Sequence, residues 1–185
     1  VVHIQIRLED SGEIARIERQ KASDLAAVEA LLDLAFGPDR YQKTAYRLRD
    51  RVAPVAALSF VARMSGRIVG TLRFWPVRIK KTPQDKSGVA ALLLGPIAVE
   101  PGLKGKGIGI ALMNHGILKA RALGHRIVLL VGDPDYYRRV GFSQVEPGRL
   151  SMPGPVDVNR LMVRELEPGV FSGITGRISS VAGNQ

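Results

Sequence analysis

Apolar positions in this chain recur at two spacings, and the switches between them mark its elements. Ile14 to Gln20 reads as a strand. Leu25, Val28, Leu32, Ala35 and Phe36 then follow at helical spacing behind Ser23, a candidate N-cap, and Gly37-Pro38 ends the run. Tyr41 to Arg51 reads as a second, strongly basic helix. Ala57 to Met64 and Arg67 to Ile79 are predicted strands joined by a tight hairpin at Ser65-Gly66, and a loop covers Lys81 to Gly88. The uncharged run VAALLLGPIAV has no polar face, which predicts a central strand covered on both sides. A glycine-rich turn leads into a helix from Ile108 to Leu123, stopped by Gly124. Arg126 to Val131 is a second buried strand, PDYYRRV a short helix, and Phe142 to Val145 and Asn159 to Leu166 are closing strands.

This order predicts an α+β fold, a three-layer α/β arrangement with helices flanking one sheet. Residues 1–12 read as an N-terminal extension, 13–167 as the single domain and 168–185 as a C-terminal tail. There is no internal repeat and no low-complexity tract.

A chain of 185 residues can bury one substantial core without disulfides or metals. No apolar run approaches the roughly 20 residues of a membrane helix. The amino end scatters charges among its apolar residues instead of building a signal-peptide core. The expected location is therefore cytoplasmic, with no membrane partner. Cysteine is absent, and His3, His115 and His125 lack a paired ligand spacing, so no metal is expected.

The net charge of +10 is unevenly placed. Arg40, Lys43, Arg47, Arg49, Arg51, Arg63, Arg67, Arg73, Arg78, Lys80 and Lys81 face only Asp50 within their segment. A second basic excess lies between Pro101 and Arg139. The first segment is either a solvated basic face, a surface for an acidic acceptor, or one for nucleic acid. Nucleic acid is the weaker expectation, because aromatics make up only 5% of the chain and a single-strand binder needs exposed ones to stack bases.

The segment VEPGLKGKGIGIALM carries the most chemistry: a buried strand ends at Val99, and Gly105, Gly107 and Gly109 precede a helix. Glycines let backbone approach a ligand closely, and a helix N-terminus offers free N–H groups and positive dipole to a phosphate. Lys104 and Lys106 add charge. On local pattern alone the segment is either an anion cradle or a ligand-free turn. It is not a Walker loop, since Gly105-Lys106 is followed by Gly107 where Ser or Thr is required, and it lacks the early strand and later acid of a dinucleotide loop.

With its neighbours the segment resembles the pyrophosphate loop of the GNAT acetyltransferase superfamily, Gln or Arg, two residues, Gly, one residue, then Gly or Ala. Here it reads Lys104-Gly105-Lys106-Gly107-Ile108-Gly109, with lysine at the first position. GDPDYYRRVGF is similar to the family's segment with a tyrosine four residues before Gly-Phe, here Tyr137 before Gly141-Phe142, and RIVGTLRFWPV is similar to its long third strand. The resemblance implies a mixed sheet that splays beside the glycine loop, with acetyl-CoA as co-substrate in the split and an unidentified amine as acceptor. It implies that the backbone of Ile97, Ala98 and Val99 pairs with the pantetheine arm. The amides of Lys104, Gly105, Lys106, Gly107, Ile108, Gly109 and Ile110 would hold the pyrophosphate. Tyr137 would act as general acid toward the leaving thiolate, with Tyr136 as its substitute.

Glu100 is a candidate base or a solvated strand-end carboxylate, with water relay the alternative. Asp133 stands where many relatives carry an asparagine. His115 reads as packing, and Phe74 and Trp75 as core or as acceptor-pocket wall. The acceptor side is expected around FGPDRY, the basic third strand and residues 151–157. An anionic acceptor is among the expectations, as is a monomer or a homodimer. A different class of function also fits the charge: a catalytically silent module of this fold binding RNA or a ribosome-associated partner.

Overall fold

The computed structural model describes residues 4–182; His3 lies outside them. Five strands follow one another antiparallel in the sheet: β1 (Ile4–Arg7), β2 (Ile14–Arg19), β3 (Ser59–Met64), β4 (Arg67–Lys80) and β5 (Val89–Val99). β6 (Ile127–Val131) then lies parallel to β5, and beyond it come β9 (Leu161–Glu165) and β7 (Ser143–Gln144). The short β8 (Leu150–Ser151) pairs with β10 (Gly176–Ser180), and β10 pairs with β4. The β3–β4 turn has positive φ at both Ser65 (49°) and Gly66 (81°), the geometry that matches a hairpin's twist.

Helices cover both faces. Phe60 and Ala62 share a cluster with Ile108, Leu112, Met113, Ile117 and Ala120 of α3 (Ile108–Ala122). Val61 points the other way, to Val28, Leu31 and Leu32 of α1 (Leu25–Phe36). Each fully buried aliphatic of this kind contributes roughly 1.5–3 kcal/mol. This is the mixed α/β three-layer architecture that the pattern predicts.

The sheet parts at its centre. β5 pairs with β6 only at Leu92–Val128 and Leu93–Leu129, although β5 continues to Val99. Over the same stretch β5 stays bonded to β4, whose register shifts between Leu72 and Phe74, and such a bulge increases local twist. The outer edge of β5 from Leu94 to Val99 is thus left facing a wedge-shaped gap.

Four local readings change. Ile4–Arg7, expected in an extension, and Gly176–Ser180, expected in a tail, both add strands to the sheet. Ser23 does not cap α1; it sits in a 3-10 turn at Ala22–Asp24, where the Asp24 carboxylate accepts from the Lys21 N–H at 2.9 Å. The basic helix expected over Tyr41 to Arg51 shrinks to α2 (Thr44–Arg47), flanked by a 3-10 turn at Pro38–Gln42. Lys43, Arg47 and Arg51 are spaced four apart, so a continuous helix would stack three like charges; the chain breaks, with extended backbone at Lys43 and φ of 55° at Arg51. Among the described residues no helix is long and apolar enough to cross a membrane.

Candidate active site

The turn after β5 is shaped by its glycines. Gly105 and Gly107 hold φ of 80° and 83°, a region costly for any residue with a Cβ. Gly107 caps α3, and the helical ladder begins where the Ala111 N–H donates to the Gly107 carbonyl at 2.9 Å. The N–H groups of Ile108, Gly109 and Ile110 stand ahead of that first bond and point out of the helix end. Together they form a cradle for an anion.

This cradle lines a cavity of about 300 Å³ between β5, α3 and α4 (Pro134–Arg138). Of the expected cofactor residues, Ile97, Ala98, Val99, Lys104, Gly105, Gly107, Ile108, Gly109 and Ile110 all border it. Lys106 does not: its ammonium is paired with Asp10, in the turn after β1. Ala35 and Phe36 of α1, Leu103 and Arg139 also line it. They follow no spacing that sequence alone could flag.

Tyr136 and Tyr137 lie edge to face, ring centres 5.1 Å apart, and both border this cavity. The Tyr136 hydroxyl lies over Gly109 of α3, and the Tyr137 ring lies against Gly132 at the end of β6. Both close approaches need a residue without a side chain. Burial pushes the Tyr137 phenol up to about 12, reinforced by the neighbouring Tyr136. Burial also raises Tyr136.

A second cavity of about 810 Å³ shares Phe36, Ile97, Lys104, Tyr136 and Tyr137 with the first and extends to residues 155–157. Its carboxylates are Asp133, whose side chain accepts from the Asp135 N–H at 3.0 Å, and Asp157, which accepts from Asn159 N–H at 3.0 Å. Glu100 borders neither cavity, because Arg67 holds its carboxylate at 2.6 Å. His115 packs edge to face on Phe60 at 4.8 Å. Phe74 is fully buried against α3, whereas Trp75 lines a third cavity beside the second. Among the described residues no group of three or more His, Asp or Glu is placed to hold a metal ion.

Four of the eleven basic residues of the segment are paired with carboxylates. Arg40 pairs with Glu29 and Asp33, Arg63 with Glu18 and Asp24, Arg67 with Glu100, and Arg73 with Glu29. All of these acids lie outside the segment, so its local charge was legible but its compensation was not.

Residues 16–145 match the model of the acetyltransferase (GNAT) domain. The chain belongs to this family. Among its GNAT relatives, the uncharacterized N-acetyltransferase YhbS of Escherichia coli K12 is 27% identical over 84% of this chain and 89% of its own. The uncharacterized N-acetyltransferase YjhQ of the same strain is 31% identical over 68% of this chain and 66% of its own. The crystal structure of Escherichia coli YhbS in complex with CoA superposes with a TM-score of 0.75 at 25% identity, covering 90% of this chain and 89% of that one. A Brucella melitensis GNAT acetyltransferase in complex with acetyl-CoA gives 0.66 at 26% identity over 91% and 97%. The splayed sheet and flanking helices are those of the GNAT fold, and the protein is a bacterial-type member of the GNAT acetyltransferases.

Proposed function

We propose that this GNAT protein transfers the acetyl group of acetyl-CoA to a primary amine by direct attack, with Tyr137 as the general acid. The observation that carries the reading is one of convergence: the positive-φ glycine cradle, the unpaired edge of β5 and the two phenols border a single cavity. The CoA and acetyl-CoA bound by the two structural relatives support the choice of co-substrate.

The residues present fit that molecule. Ile97, Ala98 and Val99 offer a strand edge to an amide-bearing arm, and the amides between Lys104 and Ile110 offer donors to a pyrophosphate. Acetyl-CoA supplies an activated thioester whose carbonyl the amine attacks and whose thiolate departs. Tyr137 holds its proton on the phenolic oxygen throughout the neutral range, so it is available as a donor where the leaving sulfur develops charge. Glu100 is engaged by Arg67, and Asp133 and Asp157 each accept a backbone N–H, which favours a water relay for the amine's proton. A silent RNA-binding module draws less support, since four arginines of the basic segment that suggested it, Arg40, Arg63, Arg67 and Arg73, are paired with carboxylates.

The test is free-thiol release from acetyl-CoA in the presence of a broad panel of amines, peptides and aminoglycosides. Amine-dependent release is expected. Tyr137→Phe should lower kcat by roughly 10- to 1,000-fold while acetyl-CoA affinity stays within a few-fold. Absence of acetyl-CoA binding by calorimetry would end the reading.

A further inference from the structure

A third cavity, of about 740 Å³, lies between α1, the turn around α2, and β4. It shares Tyr46, Arg49 and Pro96 with the cavity that Tyr137 borders, so the two adjoin. Three of its lining residues carry a buried donor with no hydrogen-bond partner: Arg49 Nε, Arg73 Nη2 and Trp75 Nε1. A sealed, unpaired donor is costly, and three lining one cavity describe a site awaiting an acceptor group.

Each donor is held in place. Arg73 and Trp75 stand two residues apart on one face of β4. Arg73 gives its Nε to Gln20 at 3.0 Å and its Nη1 to Glu29 at 2.8 Å, which leaves Nη2 over. The Arg49 guanidinium rests 4.6 Å from the Tyr46 ring centre and 5.7 Å from that of Trp75, and its Nη2 lies beside Gly95 of β5. Gly95 is two residues before Ile97, on the strand edge that opens into the gap.

The charge balance narrows the ligand. Arg40 is fully engaged by Asp33, Tyr46, Glu29 and Tyr41. Around the cavity's inner wall Arg40, Arg49 and Arg73 are set against Glu29 and Asp33, and among the described residues Arg49 has no carboxylate partner. Asp50 lies at the exposed rim together with Arg47 and Arg51. One interior cation is left uncompensated. Burial, with Arg73 and Arg40 nearby, pushes Arg49 down to about 10 against the favourable influence of Tyr46, which is the signature of a cation short of an anion. A single negative charge with planar, two-oxygen geometry matches a guanidinium fork, and a neutral indole N–H can join it.

Resting on the acetyltransferase reading above, we propose that the acceptor is a primary amine bearing a carboxylate. The carboxylate is seated by Arg49, Arg73 and Trp75, and the amine end reaches past Tyr46 and Pro96 toward Tyr137. Arg49, Arg73 and Trp75 are then specificity-determining residues.

Trp75 is the chain's single tryptophan, so its fluorescence reports directly on this cavity without any turnover. The experiment titrates the protein with free amino acids and dipeptides, each beside its C-terminal amide, and with aminoalkyl phosphonates. Selected carboxylates should change Trp75 emission saturably, at least about 10-fold more tightly than their amides. The same compounds should show at least a 10-fold advantage in kcat/KM for CoA release. Arg49→Gln should bring the carboxylate-to-amide ratio close to one, and Arg49→Lys, which keeps the charge but loses the fork, should fall between. Equal response to carboxylates and amides, tighter binding of phosphonates, or an unchanged ratio in Arg49→Gln would each overturn the proposal. Carboxylate-selective fluorescence without acetyl-CoA binding would instead sustain this site and fail the acetyltransferase reading.

Discussion

The hydroxyl of Tyr136 occupies the space above Gly109, 2.5 Å from where a Cβ on that residue would stand. The contact ties α4 to the first turn of α3 and sets one wall of the proposed acetyl-CoA cavity. Gly109→Ala should therefore separate stability from binding. Alanine favours a helix interior by roughly 0.5–1 kcal/mol over glycine and by less in the first turn, where Gly109 stands, and displacing the phenol offsets part of that gain, so the melting temperature should change little. The displaced phenol should nevertheless cost acetyl-CoA about 10-fold or more in affinity by calorimetry. Adding Tyr136→Phe removes the colliding oxygen and should restore most of that loss; two independent, additive losses would show that the contact does not govern the cavity.

Gly107 presents a different constraint, because its φ of 83° penalises any side chain. Gly107→Glu adds a carboxylate beside the amides that offer themselves to a pyrophosphate. Acetyl-CoA should raise the melting temperature of the parent by mass action and leave that of the variant unmoved. Normal calorimetric binding in Gly107→Glu would remove the cradle from the account.

Much of this arrangement was legible because it depends on short-range pattern. The apolar run ending at Val99, the spaced glycines and the helical period after Ile108 locate the cradle from sequence alone. Tyr137 was singled out by the family resemblance of the segment that ends in Gly141-Phe142, with Tyr136 as its substitute. β1, β8 and β10 were hidden for a physical reason: they are short, and their pairing depends on edges supplied by β2 and β4. The donor set of Arg49, Arg73 and Trp75 was half visible. Arg73 and Trp75 alternate on a predicted strand, but only the folded chain brings Arg49 across to them and shows which guanidiniums are already paired.

Arg40 illustrates that point and yields a stability prediction. It is 2% exposed and anchors the turn around α2 to α1 through Glu29, Asp33 and Tyr46. Arg40→Met should leave Glu29 held by Arg73 alone while Asp33, half exposed, rehydrates. Neither acid is left buried and unpaired, so the loss, at about 2 kcal/mol, falls short of the cost of about 3–5 kcal/mol for a stranded buried charge. For a chain of this size that is a fall in Tm of about 4–8 °C. A shift under about 2 °C by calorimetry would show that the network is dispensable.

Tyr137 makes the last prediction, in which the same shift is read twice. Its phenol titrates at about 12 in the folded protein against an ordinary value of 10.0, chiefly because burial penalises the phenolate. Since the folded value is the higher one, its stability contribution is complete below pH 10 and is lost as pH rises through 12. Between those limits the parent should lose up to about 2.7 kcal/mol more than Tyr137→Phe, at roughly 1.36 kcal/mol per unit. The kinetic counterpart follows from the same proton. If Tyr137 is the acid, kcat should show no loss attributable to it through pH 9 to 10, where an ordinary tyrosine would begin to ionise. Denaturant melts of both proteins at pH 9 and 11.5, beside a kcat profile to pH 10.5, test the two readouts together. An alkaline limb near pH 10 that disappears in Tyr137→Phe would mean the phenol is not shielded, and the donor's proton would then be lost within the working range of the enzyme.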